Sequence, residues 1–186
     1  EASNQVRDEG NFKTGALEGF DLFGKTIGVI GTGAIGRSSV QIAQGFGMRV
    51  LMYDLYPNKS LENASASYVA LPDLLAASDI ITLHAPYTPE TKHILNADAF
   101  SKMKKGAIVI NTARGELVDT AALLEAIESG TVAGAGLDVL EGERDLHDEM
   151  SILRKEDSAE ELKAVIRDHV LIDHPRVIIT PHIAFF

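Results

Sequence analysis

The stretch Ile27-Gly-Val-Ile-Gly-Thr-Gly-Ala-Ile-Gly36 decides the fold of this chain. Its apolar beginning predicts a buried strand, and its last glycines predict a tight turn that leads into a helix over Arg37–Phe46. A second apolar run ends at Asp54, close to the ~20 residues that separate the glycine turn of a dinucleotide site from its acidic residue. The order of strand, glycine turn, helix, strand and acid therefore predicts dinucleotide binding.

Each glycine of this turn has a physical role in such a site. Gly31 permits the tight turn, Gly33 lets the backbone approach a diphosphate, and Gly36 lets the helix pack close to the strand. The free amide groups at the helix start favour phosphate. Asp54 would accept hydrogen bonds from ribose hydroxyls and repel a 2′-phosphate, and Leu55-Tyr56-Pro57 supplies no arginine, so NAD is favoured over NADP. The alternative is a glycine turn that only connects packed elements.

Composition narrows the class of protein. A length of 186 residues with 45% apolar residues suits one domain with a sizeable core. The net charge of −10 argues against a nucleic-acid or anionic-membrane surface, and no apolar run approaches the ~20 residues of a membrane span. The absence of cysteine excludes disulfides and suits a cytoplasmic protein. The histidine spacing suggests no metal site. Since the chain starts without Met and ends on two phenylalanines, we expect a fragment of a longer polypeptide.

Strand and helix patterns alternate from Lys25 onward, after a glycine-rich connector over residues 1–24. Short apolar runs predict six buried strands: Thr26–Ile30, Arg49–Tyr53, Ile80–Leu83, Ala107–Asn111, Ala133–Leu137 and Val177–Thr180. Helices are predicted with Pro72 in a first turn and with Asn96 and Asp119 at N-termini. This alternation predicts an α/β fold with a doubly wound parallel sheet of the Rossmann type.

An acidic insertion interrupts the alternation at about residues 141–173. Within it, Leu162, Val165 and Ile166 have helical spacing, which predicts an inserted loop followed by one amphipathic helix. A solvated acidic face and a surface for a partner protein both fit this composition. The predicted domain therefore spans residues 25–186 and includes the insertion.

Four segments follow predicted strands, at the edge where open α/β sheets place ligands: residues 83–86, 111–119, 136–143 and 180–184. With these motifs, Asn111-x-x-Arg-Gly115 and Pro181-His182 above all, the chain resembles the coenzyme domain of the D-isomer-specific 2-hydroxyacid dehydrogenases. Within that family it is most similar to the D-lactate dehydrogenases, through Gly19–Lys25, Glu141-Gly-Glu143 and the C-terminal Pro-His-Ile-Ala-Phe-Phe. The resemblance covers nearly the whole chain, and the acidic insertion is its least typical part.

The resemblance implies NAD as cofactor and a small 2-oxo or D-2-hydroxy acid as substrate. Pyruvate and D-lactate are the favoured pair of substrates. It implies a catalytic set of Arg114 for the substrate carboxylate, His182 as acid and base, and Glu143 as the acidic partner of the histidine. It also implies a set of cofactor-binding residues: Gly31, Gly33, Ala34, Ile35, Gly36, Asp54, Ala85, Pro86, Thr112 and Asp138. Relatives commonly dimerise through this domain, so a homodimer is expected. Their second, substrate-covering domain is absent from this sequence, so we expect the isolated chain to bind NAD and to turn over little.

Simpler roles remain open for individual residues. Arg114 suits a surface ion pair, Glu143 an acidic surface, and Pro181-His182 an ordinary turn. His84 follows a strand, where it can contact a ligand or only pack, and the other histidines are expected on the surface. For the whole protein, a non-enzymatic NAD-sensing scaffold of the same fold is the alternative to a dehydrogenase.

Overall fold

The computed structural model describes Arg7 and residues 19–141 and 159–184. Its centre is a sheet of seven parallel strands. The strands are β1 (Thr26–Ile30), β2 (Arg49–Tyr53), β3 (Ala66–Tyr68), β4 (Ile80–Leu83), β5 (Ala107–Asn111), β6 (Val132–Leu137) and β7 (Val177–Ile179). The six predicted strands are all present, with ends that differ by at most one residue.

Helices connect most of these parallel strands, whereas β2 and β3 are joined by a loop with one short 3-10 turn. The described helices are α1 (Ala34–Gly45), α2 (Leu71–Ala77), α3 (Ala97–Ser101), α4 (Thr120–Glu128) and α5 (Ala159–Ile172). The predicted N-terminal signals are confirmed. Pro72 lies in the first turn of α2, the Asn96 side chain accepts from the Ala99 amide, and the Asp119 side chain accepts from the Ala122 amide.

The strand order β3-β2-β1-β4-β5-β6-β7 defines a doubly wound sheet. Strand β1 pairs with β2 on one side and with β4 on the other. Successive strands are therefore added to one side of β1 up to β3 and to its other side from β4 onward. Such a switch point opens a crevice at the carboxyl ends of the strands, and there the loops after β1, β4 and β5 come together. The predicted α/β fold is confirmed.

Strand β3 was not predicted from the sequence. Its three residues, Ala-Ser-Tyr, carry no apolar run, and it lies at the edge of the sheet. It forms because its backbone pairs with β2, where Tyr68 lies beside Met52, and because the Glu62 carboxylate accepts from the Tyr68 amide at 3.1 Å. A tertiary pairing thus creates a strand that local propensity does not specify.

Apolar side chains form one cluster on each face of the sheet. The larger cluster joins the sheet to α2, α3, α4 and α5, with Leu74, Phe100, Leu123 and Leu171 among its buried members. The smaller cluster lies under α1, through Val40 and Ala43. Among the described residues, α1 packs mainly on β1 and β2, whereas β5 and β6 each carry partly exposed residues and Ile178 of β7 is 73% exposed. Within the described residues, the helices on this face thus cover β1 and β2 more fully than β5, β6 and β7.

Helix α5 confirms the helix predicted within the acidic insertion, but its buried face differs from the predicted one. Val165 and Leu171 are buried, whereas Leu162 and Ile166 are exposed at 37% and 53%. Among the described elements, the helix packs mainly against α4 and β7. The predicted inserted loop and most of the predicted connector lie outside the described residues.

Candidate active site

In the glycine turn between β1 and α1, Gly31 and Gly36 lie so close to neighbouring backbone that a side chain would not fit. Gly31 has a φ of +90°, and a Cβ there would lie 2.4 Å from the amide nitrogen of Ala85. A Cβ on Gly36 would lie 2.0 Å from the carbonyl oxygen of Gly31. In contrast, a Cβ on Gly33 would meet nothing within 4 Å, since this residue faces open space at the N-terminus of α1. The turn therefore offers exposed backbone, with Ala34 and Ile35 beside it, to a ligand that needs close approach.

Asp54 lies at the end of β2, next to this turn. Its Oδ2 accepts from the Thr32 amide at 2.6 Å and from the Thr32 hydroxyl at 2.9 Å, and its Oδ1 accepts from the Tyr56 amide at 2.9 Å. Burial alone would raise the pKa of Asp54, but these hydrogen bonds outweigh it and hold the pKa below its usual value. The group is therefore a carboxylate, and Oδ1 keeps capacity for another donor.

The segment after β4 forms the next wall of the site. Ala85 is buried against Gly31, while Pro86 is exposed. The His84 ring is partly buried, with its Nε2 at 3.0 Å from the Ser39 hydroxyl and 3.1 Å from the Thr82 hydroxyl. Burial lowers the pKa of His84, so the neutral ring is favoured. His84 packs against α1 and also lines the cleft described below, so its packing role is observed and contact with a ligand stays a prediction.

Arg114 stands on a turn that the side chain of Asn111 holds in place. This asparagine, almost fully buried at the end of β5, donates from Nδ2 to the Arg114 carbonyl at 2.8 Å and accepts at Oδ1 from the Ala113 amide at 3.0 Å. Gly115 then packs so closely that a Cβ would lie 2.0 Å from the Leu140 carbonyl oxygen. The Arg114 side chain is left exposed. The sequence showed Asn111 beside the arginine, but its role in shaping the turn emerged only from the structure.

Asp138 positions the loop that carries His182. Its carboxylate accepts from the Thr180 hydroxyl, from the Ile183 amide at 3.0 Å and from the Ala184 amide at 2.8 Å. His182 itself has a φ of +52°, a left-handed conformation that is unfavourable for a side chain with a Cβ. The loop around it is therefore fixed by Asp138. Burial alone would raise the pKa of Asp138, but the three hydrogen bonds and the nearby His182 ring hold it below its usual value.

One cleft of about 870 Å³ brings these segments together. Its size suits a small-molecule site. Seven of the residues predicted for the site line it: Ile35, Ala85, Pro86, Thr112, Arg114, Asp138 and His182. Residues that the sequence did not assign to the site also line it, among them Tyr87 and Glu116. Glu143 lies outside the described residues.

The contact between His93 and Glu141 differs from what the sequence suggested. His93 was expected on the surface, but its ring is partly buried and its Nε2 lies 2.5 Å from Oε1 of Glu141. The other oxygen of Glu141 accepts from the Thr120 hydroxyl at 3.2 Å. Glu141, shortly after β6, thus connects this part of the chain to the segments that contain His93 and Thr120. Among the residues described, no cluster of three potential metal ligands occurs, and none of the helices is long and apolar enough to cross a membrane.

The glycine turn, the carboxylate at the end of β2 and the adjoining cleft are the features of a dinucleotide-binding domain. The sequence pattern of the D-isomer-specific 2-hydroxyacid dehydrogenase NAD-binding domain matches residues 1–184. The chain belongs to this family, and NAD is its cofactor.

Individual relatives agree with this assignment. The chain is 47% identical over 145 residues to D-lactate dehydrogenase of Escherichia coli, covering 78% of this chain and 44% of that one. It is 44% identical over 186 residues to 2-hydroxyacid dehydrogenase homolog 2 of Schizosaccharomyces pombe, covering 98% and 53%. The structure of D-lactate dehydrogenase from Aquifex aeolicus with NAD and lactic acid superposes with a TM-score of 0.82 at 38% identity, covering 99% and 54%. The chain thus spans about half the length of the relatives it matches.

Proposed function

We propose that the whole protein is an NAD-dependent dehydrogenase that interconverts a small 2-oxo acid and the D-2-hydroxy acid, with pyruvate and D-lactate the first candidates. The observation that carries the proposal is that Arg114 and His182 line the same cleft as Ile35 of the glycine turn and Pro86. The guanidinium of Arg114 and the imidazole of His182 are thus available beside the residues expected to contact the cofactor. Relatives named D-lactate dehydrogenase support the choice of substrate.

The residues of the cleft suit the chemistry of carbonyl reduction. When bound, NADH would supply the hydride that reduces the carbonyl carbon of the 2-oxo acid. Arg114 would grip the substrate carboxylate through two parallel hydrogen bonds, which fixes the face presented to the cofactor. His182 would donate a proton to the carbonyl oxygen and, in the reverse direction, accept it from the hydroxyl. Glu143 would orient this imidazole and stabilise its protonated form.

Asp54 and Gly33 fit the cofactor in this scheme. The exposed Gly33 admits a diphosphate, and the free capacity of Oδ1 of Asp54 suits a ribose hydroxyl. The carboxylate disfavours a 2′-phosphate at the same position, so we propose NAD rather than NADP. Asp138 was assigned by resemblance to the cofactor carboxamide; its three hydrogen bonds add a role in fixing the loop of His182.

The decisive experiment compares the full-length protein with the present chain. A panel of 2-oxo acids is supplied with NADH, oxidation is followed at 340 nm, and the chirality of the product is determined. We expect D-specific reduction, fastest with pyruvate, by the full-length protein. The present chain should bind NADH and turn over little, because it spans only about half the length of its relatives and an open cleft does not exclude water. Negligible turnover of every 2-oxo acid by the full-length protein would refute the proposal of a dehydrogenase and would favour the alternative of an NAD-sensing scaffold.

We also propose a homodimer formed through this domain. The outer face of α1 exposes Ile42 and Phe46, one helical turn apart, at 61% and 55%, and Phe23 nearby is 80% exposed and lies against Gly47. Contiguous apolar surface of this kind marks interaction sites in soluble proteins. Light scattering should give a dimer mass that Ile42→Glu reduces to a monomer mass. A monomeric unmodified protein would refute the proposal. The cytoplasmic location stays a prediction from the cysteine-free composition.

A further inference from the structure

A chain of hydrogen bonds runs from the edge strand β3 to the carboxylate of Asp54. The Asn58 amide lies 3.1 Å from the Tyr68 hydroxyl, which lies 2.7 Å from the Thr32 hydroxyl. The Thr32 hydroxyl in turn lies 2.9 Å from Oδ2 of Asp54. Thr32 is 6% exposed and Tyr68 is partly buried, so the middle of the chain is sheltered from water.

The number of protons fixes the direction of every bond in this chain. Asp54 is ionised and can only accept, so the single proton of the Thr32 hydroxyl is donated to Oδ2. Thr32 must then accept from Tyr68, whose own proton is thereby used. The Tyr68 oxygen in turn accepts from the backbone amide of Asn58, because an amide N–H can only donate. Successive bonds that point the same way polarise one another and strengthen the last, which ends on the carboxylate.

Tyr68 therefore contacts both segments that flank Asp54. Through Thr32 it holds the glycine turn, and through Asn58 it holds the loop that follows the acid. Glu62 in the same loop binds the Tyr68 amide, so the ring sits on a fixed backbone. Removing only the phenol oxygen would leave the Thr32 oxygen without its donor and would weaken the bond from the Thr32 hydroxyl to Asp54, because that bond is no longer polarised.

We propose that Tyr68 is a positioning residue for NAD, which fixes the Asp54 carboxylate and so sets both the affinity for NAD and the discrimination against NADP. The inference rests on the proposed contact between Asp54 and the ribose. A carboxylate that is already fixed loses no rotational freedom when the ribose binds. A fixed carboxylate also cannot turn away from a 2′-phosphate, so the repulsion against NADP is kept at full strength.

The test is a binding titration that does not depend on turnover. NADH and NADPH are titrated separately into the protein, and the dissociation constants are obtained from nicotinamide fluorescence. Tyr68→Phe should raise the Kd for NADH about two- to thirteenfold, the range expected for one net hydrogen bond of about 0.5–1.5 kcal/mol. The Kd for NADPH should stay unchanged or fall, so the preference for NADH shrinks by at least the same factor.

Tyr53→Phe is the matched control. Tyr53 lies on β2 directly before Asp54, but its ring packs with the larger cluster, whereas Tyr68 packs with the smaller cluster on the other face. This change removes the same phenol oxygen without touching the chain of bonds, and both dissociation constants should stay within twofold of the original values. Thermal unfolding without nucleotide checks that each variant is folded.

A double-mutant cycle isolates the relay itself. Thr32→Val removes the middle hydroxyl, while Thr32→Ser keeps it. We expect Thr32→Ser to bind NADH nearly as the original protein does, and Tyr68→Phe to add less than twofold when Thr32→Val is already present. Multiplicative effects of the two changes, or a Tyr68→Phe protein with unchanged affinity and selectivity, would overturn the inference while leaving the proposed function intact. An unmodified protein that binds neither nucleotide would instead refute the proposed function, and the inference with it.

Discussion

The three glycines of the turn should respond to alanine in three different ways, because the structure gives each a different surrounding. Gly33→Ala places a Cβ in open space, and the backbone angles there, φ −63° and ψ −163°, suit any residue. Alanine is a poorer N-terminal cap than glycine, but it restricts the unfolded chain, and these effects of about 0.5–1 kcal/mol oppose each other. The melting temperature should therefore change by less than about 3 °C.

The same substitution should damage nucleotide binding. The added Cβ occupies the space through which a diphosphate would approach the turn, and we expect at least a tenfold rise in the Kd for NADH, equivalent to about 1.4 kcal/mol. At NADH of 100 times the original Kd, the ligand stabilises the unmodified protein by about 2.7 kcal/mol. The variant should retain about half of that stabilisation, which is visible as a smaller NADH-induced rise in melting temperature.

Gly36→Ala serves as the contrasting variant. Its Cβ would lie 2.0 Å from the Gly31 carbonyl oxygen, more than 1 Å short of an ordinary contact of about 3.5 Å, and the obstacle is backbone that cannot rotate away. Overpacking of this kind costs about 1–3 kcal/mol, so the melting temperature without nucleotide should fall by about 2–12 °C. Differential scanning fluorimetry and NADH titration of both variants form the assay. A Gly33→Ala protein that binds NADH within twofold of the original would refute the proposed diphosphate position.

Three further substitutions test other parts of the site. In the full-length protein, Arg114→Ala should raise the KM for the 2-oxo acid about 10- to 150-fold, the range for a charge-assisted contact of about 1.5–3 kcal/mol, and leave the Kd for NADH within twofold; equal losses of both would contradict its role. Asp54→Arg should reverse the preference towards NADPH in fluorescence titrations, since a cation replaces the anion that repels the 2′-phosphate, and unchanged selectivity would remove Asp54 from the ribose site. Burial lowers the pKa of His84 below 6.5, so the unfolded state binds more protons and stability falls as the pH drops through about 6.5, by at most about 1.4 kcal/mol per pH unit. Urea denaturation between pH 7.5 and 5.5 should show a smaller loss for His84→Gln, and identical pH profiles would show that this histidine does not carry the effect.

The local pattern of the sequence was sufficient for most of the framework. Apolar runs located six strands, and the capping residues Asn96 and Asp119 located helix starts, because both signals act over a few residues. Strand β3 escaped prediction because it exists through pairing with β2. The buried face of α5 was misjudged because helical spacing shows which residues share a face, whereas the neighbouring elements determine which of them are covered.

The site shows the same division between local and distant effects. Gly31 and Asp54 could be predicted from their spacing along the strand-turn-helix-strand pattern, and Arg114 and His182 from the resemblance to a known family. The groups that hold them in place could not be named, because they come from distant parts of the chain. Asp138 meets the amides of Ile183 and Ala184 across more than 40 residues, and Tyr68 meets Thr32 across 36.

The sequence by itself determined the class of fold, the glycine turn and the family, since these depend on residue types at fixed short spacings. Only the tertiary structure shows that Arg114 and His182 share one cleft, that Asp138 accepts from the amides beside the histidine, and that the Tyr68 hydroxyl bonds to Thr32 next to Asp54. The physical reason is that hydrogen-bond directions and close contacts depend on how strands from separate parts of the chain are placed beside one another. That placement results from packing of the whole sheet and its helices, which no short stretch of residues encodes.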